Sequence, residues 1–190
     1  MLKVYLAGPD VFLPDAIQIG QQKKQLCLRH GLEGLFPFDN ELPAPSADER
    51  VDRLIYRANE EMMQRAHLGI FNLTPFRGPS ADAGTVFELG LMVGFGKRVF
   101  AYTNDASDYA HRVQASSAAF GLQTQPLRDA SGMTIENFGN ADNLMIEWAV
   151  AEHGGYPIVR NSTNATDRFR DLLGFERCLS LASQAVLKSA

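Results

Sequence analysis

A chain of 190 residues with 45% apolar and 21% charged side chains sits near the globular average, which excludes wholesale disorder and fibrous repeats. Its 18 Lys and Arg against 22 Asp and Glu give a formal charge of -4, so no basic field is present to hold a nucleic-acid polymer, while small ligands stay open. Cys27 and Cys178 form no CxxC pair, which argues against a structural zinc or a disulfide framework, and no apolar run is long enough for a leader or a membrane span; a reducing cytoplasm is the expected compartment.

Leu2 to Ala7 is short, apolar and β-favouring and stops at Gly8-Pro9, which predicts a buried strand running into a turn. Pro14 to His30 carries proline only at its start and ends at Gly31, the pattern of a helix. Gly34 to Phe38 predicts a second strand, followed by a proline-containing loop from Asp39 to Pro45. Ser46 with Glu49 forms a capping-box pattern, and Val51, Leu54, Ile55, Ala58 and Met62 recur at helical spacing after it. Leu68 to Leu73 is the next strand, and Thr74 to Ser80 is a loop too rich in breakers for a mere connector. Gly84 to Gly96 reads as a nearly all-apolar helix that runs into a strand from Arg98 to Thr103.

Beyond Asn104 the periodicity weakens. Asp105 to Ser131 is expected to be loop with one helix, Met133 to Glu136 a last strand, Asn143 to Glu152 a helix, and Thr166 to Lys188 one long or two short helices. Strands alternating with helices imply an α/β fold with a mainly parallel sheet covered on both faces. One domain over 1–190 accounts for the chain, with a core at 1–155 and a C-terminal helical segment at 156–190.

In such sheets ligands bind outside the carboxyl ends of the strands. Three turns there carry unusual residues: Gly8 to Phe12, Phe38 to Glu41 with Asp39 in it, and Thr74 to Asp82. Glu88 interrupts a segment otherwise without charge, Thr85 to Phe95. It is either an exposed edge or ion-paired residue, or a nucleophile or base whose burial beside apolar walls raises its pKa. Asp82, six residues earlier, is a natural N-cap, and that role is compatible with facing the same pocket as Glu88. Two carboxylates in unequal environments are what glycosyl transfer uses, one attacking the sugar carbon and the other handling a proton. The Arg77 to Gly84 stretch has neither the GxxxxGK nor the GxGxxG phosphate-binding spacing, and no HExxH or GxSxG occurs. His30, His67, His111 and His153 are scattered singly, and Met62, Met63, Phe36 and Phe38 are expected to fill the core. No metal or cofactor is called for.

The combination of Tyr5-Leu-Ala-Gly-Pro, Asn59, the Pro75 to Gly90 block containing Asp82 and Glu88, and Asp142-Asn143-Leu-Met145 resembles the nucleoside 2-deoxyribosyltransferases over residues 1 to about 150. The resemblance implies a flavodoxin-like doubly wound sheet of about five strands and exchange of 2-deoxyribose between nucleobases, by double displacement with retention. It implies Glu88 as nucleophile, Asp82 as proton donor to the base and Tyr5 as the hydroxyl that orients Glu88. It also implies Asn59, Phe12, Gly8 and Asp39 as substrate-binding positions, and Asn143 and Met145 as residues lent to a neighbouring subunit's site. The partners are then 2′-deoxynucleosides, free nucleobases and further copies of the chain, in a dimer or hexamer. Asn59 stands where some members have aspartate and Glu41 where some have glutamine, which leaves base preference open. Related hydrolases of 2′-deoxynucleoside 5′-monophosphates share the two acids but carry a basic first turn. Here Asp10 in that turn places an anion where phosphate needs a cation, which disfavours that alternative. A non-catalytic nucleoside- or nucleotide-binding module is the remaining alternative, and it has no need of an unpaired carboxylate in an apolar helix.

Overall fold

A computed structural model describes residues 1–41, 49–116 and 126–187. In it β1 (Leu2–Ala7), α1 (Ala16–Arg29), β2 (Leu32–Leu35), α2 (Val51–Arg65), β3 (Leu68–Asn72), α3 (Ala83–Gly94) and β4 (Arg98–Thr103) alternate strictly, followed by α4 (Tyr109–Ser116), α5 (Leu144–Gly154), β5 (Val159–Arg160) and α6 (Leu173–Leu187). The strands form one sheet of order β2-β1-β3-β4-β5 with every neighbouring pair parallel. The chain leaves β1 toward β2 on one side and returns to β3 on the other. The crevice outside the carboxyl ends of β1 and its neighbours is therefore the switch point of a flavodoxin-like sheet.

The period-two alternation of β1 decides what each face meets. Val4 and Leu6 join a buried cluster with Leu26 and Cys27 of α1 and Phe175, Cys178, Leu179 and Ala182 of α6. Tyr5 and Ala7 turn the other way, into a cluster with Met62 and Met63 of α2, Leu89 and Met92 of α3, and Val150 of α5. The two cysteines are free and buried on the first face, where loss of hydration pushes the Cys27 thiol up to about 12. The C-terminal helix thus completes the sheet's first layer. Gly154 lets α5 end directly against β4, since a Cβ there would collide with the Val99 carbonyl.

Several boundaries differ from expectation for identifiable reasons. The last strand is Val159–Arg160 beside β4, not Met133 to Glu136; the latter region contributes only the isolated bridge Arg128–Thr134. Two residues, Val159 and Arg160, are enough there because they extend an existing parallel ladder, a tertiary effect that local pattern does not carry. The second strand ends at Leu35, because Pro37 opens a 3-10 turn over Pro37–Asp39. Helix α2 begins at Val51 after an extended Arg50, and Ser46 of the expected capping box lies outside the described residues. Within 105–131, the expected helix is Tyr109–Ser116, and 117–125 lie outside the described residues. The Thr166 to Lys188 expectation resolves to α6 alone, preceded by turns. No helix among the described residues is long and apolar enough to cross a membrane.

Candidate active site

A cleft of about 470 Å³ opens at the carboxyl ends of β1 and β2, between α2 and α3, and both carboxylates singled out in the sequence, Asp82 and Glu88, line it. The Glu88 side chain is held from below by the sheet: Tyr5, fully buried on β1, donates its hydroxyl to Glu88 Oε1 at 2.7 Å. Because Tyr5 is an odd-numbered residue of β1, its ring lies on the α3 face, which is what brings a strand hydroxyl under a helix carboxylate. Among the described residues no arginine or lysine pairs with Glu88, and Oε2 has no hydrogen-bond donor. Burial pushes the Glu88 carboxyl up to about 7; the Tyr5 hydrogen bond opposes that rise, and the nearby Asp82 charge adds to it. The same burial, and the Glu88 charge, hold the Tyr5 phenol protonated far above its ordinary range.

Asp82 is the N-cap of α3. Its Oδ2 accepts from Thr85 N at 2.9 Å and Thr85 Oγ1 at 3.0 Å. The cap and the cleft-lining position coincide, since an N-cap side chain necessarily sits at the end of a helix that opens on the site. The preceding loop is fastened to α5. Asp142, buried just before α5, accepts from Ser80 Oγ at 2.5 Å and Ala81 N at 2.9 Å. Arg112 of α4, also buried, donates to the carbonyls of Pro79 at 2.7 Å and Ala141. These two side chains fix the approach to Asp82; in the sequence Asp142 figures only within the Asp142–Met145 motif, with no role of its own, and Arg112 carries no signal.

The first turn is built from the inside. Asp10 is fully buried, with Oδ2 2.6 Å from Lys23 Nζ and Oδ1 3.1 Å from Asn72 Nδ2. Lys23 also lies over the Tyr102 and Phe175 rings. The expectation that Asp10 presents a negative charge to a ligand is therefore corrected: its charge is neutralised within the core and does not face the cleft. Gly8 lines the cleft against this pair, and a Cβ there would lie 2.5 Å from Asn72 Cβ and from Asp10 Oδ1, so only glycine fits. Phe12 also lines the cleft, stacked on Phe76 at 5.2 Å between centroids, with the Arg77 guanidinium over both rings. Arg77 is the sole non-glycine residue with positive φ among those described, at 56°.

Asn59 lines the far wall and accepts a 3.0 Å hydrogen bond from Asn40 Nδ2. Phe38, expected as core, and Ile55, one of the apolar residues at helical spacing, are 55% and 44% exposed and line the cleft. Their apolar character gives no signal of which side they face, since a ligand wall and a core use the same residues. Asp39 is at the rim but outside the lining: one oxygen accepts from Lys24 Nζ at 2.8 Å and the other from Phe36 N at 3.0 Å, closing the 3-10 turn. Asn143 and Met145 do not line this cleft. Asn143 caps α5 through Met145 N and donates to Glu136 at 2.7 Å, while Met145 is 71% exposed.

With this geometry in hand, the chain compares closely with proteins of one kind: the family model described as nucleoside 2-deoxyribosyltransferase matches residues 4–145. The chain belongs to that family. An uncharacterized protein of Schizosaccharomyces pombe is 34% identical over 171 residues, 82% of this chain and 80% of its own. A solved 2-desoxiribosyltransferase from Leishmania mexicana is 27% identical, with a TM-score of 0.62 over 89% of this chain and 95% of that one. A conserved protein from Enterococcus faecalis V583 shares the fold, at 20% identity and a TM-score of 0.53 over 95% and 98% of the two chains. Membership of the nucleoside 2-deoxyribosyltransferases places the protein among enzymes of deoxyribosyl transfer, acting on small nucleoside-type substrates.

The Glu88–Tyr5 contact sets a measurable expectation for any reaction in which Glu88 acts as the carboxylate. The ascending limb of kcat/KM against pH is expected near 7, where that carboxyl titrates. Tyr5→Phe removes the hydrogen bond that lowers this pKa, so the limb is expected to move to higher pH. A limb that stays in place or moves to lower pH contradicts the arrangement.

Proposed function

We propose that the protein exchanges the nucleobase of 2′-deoxynucleosides by a retaining double displacement through a covalent deoxyribosyl–Glu88 ester. Glu88 Oε2 attacks C1′ as the C1′–N bond breaks, and Asp82 gives its proton to the departing base. A second base then attacks C1′ through its ring nitrogen, the ester bond breaks, Glu88 leaves as the carboxylate and the acceptor's proton returns to Asp82. The observation that supports this reading is the Tyr5–Glu88 hydrogen bond, which occupies Oε1 of a carboxylate that lines the cleft together with Asp82 and leaves Oε2 without a donor among the described residues. Phe12, Phe38 and Ile55 supply apolar walls for the base, with Asn59 as a polar contact.

The charge objection to a 5′-phosphate falls with Asp10 turned inward, yet nucleosides remain the better fit. Among the described residues no lysine or arginine lines the cleft, and Arg77 is engaged over Phe12 and Phe76. A purely binding role leaves the desolvated carboxylate without purpose. Asn143 and Met145 are assigned to the cleft of a second copy, supported by their place outside their own cleft and by exposed Met145 and Trp148 on the same helix. Sedimentation is expected to give a dimer or larger, and Met145→Asp to give smaller species with lower exchange; a wild-type monomer overturns that assignment.

The deciding assay incubates a 2′-deoxynucleoside with a different free base and looks for the exchanged nucleoside, with the 5′-monophosphate run alongside. Exchange is expected with the nucleoside. Asp82→Asn keeps a good N-cap and removes the acid, so its kcat is expected to fall about 10²–10⁴-fold at nearly unchanged stability. No exchange over a panel of purines and pyrimidines rejects the reading.

A further inference from the structure

Asn40 and Asn59 reach the cleft from different elements, Asn40 just after the Pro37–Asp39 turn and Asn59 from the middle of α2. Their amides are joined to each other, Asn40 Nδ2 donating to Asn59 Oδ1 at 3.0 Å. Among the described residues the other two amide atoms, Asn40 Oδ1 and Asn59 Nδ2, have no partner, so this cleft-lining pair keeps one free acceptor and one free donor. An amide turned by 180° exchanges its oxygen and nitrogen in nearly the same space. If both turn together, Asn59 donates to Asn40, the internal hydrogen bond is kept, and the free donor and acceptor change places.

Nucleobase edges come in these two polarities. A 6-oxo purine or 4-oxo pyrimidine presents a carbonyl beside a ring N–H; a 6-amino purine or 4-amino pyrimidine presents an amino group beside a bare ring nitrogen. We propose that the Asn40–Asn59 pair is a reversible reader of that edge, turning to match oxo and amino bases alike, so that one cleft accepts both as donor base and acceptor base. Phe38, Pro37 and Ile55 beside the amides supply the apolar surface for the ring. A carboxylate in place of either asparagine removes this property, because it has only acceptors and holds the remaining amide in one orientation. The inference rests on the deoxyribosyl-transfer reading for its purpose, but its test does not require transfer.

Calorimetry of the full chain with free adenine, hypoxanthine, guanine and unsubstituted purine provides that test. Wild-type dissociation constants for adenine and hypoxanthine are expected within about tenfold of each other, with purine bound at least about tenfold more weakly for lack of an exocyclic group. Asn59→Asp leaves two acceptors facing the base. Adenine and hypoxanthine are then expected to lose about 10–100-fold, and guanine, whose N1–H and amino group are adjacent donors, to lose about tenfold less than hypoxanthine. Asn40→Asp is expected to give the same shift, which guards against a folding defect in either variant. A wild-type preference above about 100-fold for one polarity, equal loss of all bases in both variants, or no base binding overturns the proposal. Base binding as expected with no exchange of deoxyribose rejects the transfer reading and leaves the reader in place.

Discussion

Glu88→Gln is expected to reduce base exchange by at least about 10⁴-fold and, above pH 7, to make the protein more stable than wild type. The first half follows from the proposed covalent catalysis, since an amide cannot form the glycosyl ester and, among the described residues, the other lining carboxylate is Asp82, tied to the α3 N-terminus. The second half follows from burial. The native carboxyl titrates near 7, against an ordinary value of 4.5, so the folded state holds its proton over a pH range in which the unfolded chain has released it. Stability is therefore undiminished below about pH 4, falls as pH rises between these two values, and stays reduced above 7. Glutamine keeps the shape and an acceptor for the Tyr5 hydroxyl without the charge. It is expected to gain on the order of 2 kcal/mol at pH 8, seen as a melting temperature raised by roughly 4–8 °C, and to gain nothing at pH 4. A variant that loses activity by unfolding, or one as active as wild type, removes Glu88 from its role.

The largest loss of stability is expected from Lys23→Met. Lys23 and Asp10 are almost completely inaccessible, and their 2.6 Å contact is the main compensation for burying either charge. Methionine fills much of the lysine volume but leaves the Asp10 carboxylate with the Asn72 amide as its described side-chain donor. An uncompensated buried charge of this kind costs about 3–5 kcal/mol, to be read as a lower denaturant midpoint. Asp10→Asn in the same chain is expected to recover most of that loss, because it removes the orphaned charge while keeping an acceptor for Asn72. The single variant should also weaken substrate binding, since Asp10 belongs to the turn that places Gly8 and Phe12 in the cleft. A Lys23→Met protein within about 1 kcal/mol of wild type contradicts this account of the turn.

These two residues show which parts of the molecule were legible in the sequence. Glu88 stood out because one charge in an apolar helix violates the local pattern, and Asp82 because helix starts have a recognisable chemistry. Tyr5 came only from family resemblance, since a tyrosine in an apolar strand looks like any core residue. Asp10 was visible as a charge but misread as to its direction, because its partner Lys23 sits 13 residues away on α1, among residues with no sign of which lysine is buried. Arg112, and the role of Asp142 within its motif, escaped for the same reason, as their work is done through backbone carbonyls and amides of a loop distant in sequence. The sheet was legible in β1, β3 and β4, whose apolar runs are strong, whereas β2, expected at Gly34 to Phe38, lies at Leu32–Leu35 with Glu33 inside it. The two-residue β5 was not legible, because it exists only by pairing with Tyr102 and Thr103.

The most direct test of the account is the intact mass of the protein after a rapid acid quench with a 2′-deoxynucleoside and no acceptor base. The expected result is a species heavier by one deoxyribosyl group, located to the peptide containing Glu88, absent in Glu88→Gln and discharged when a second base is added before the quench. Exchange proceeding at full rate with the sugar on another residue, or with no adduct at any quench time, contradicts it.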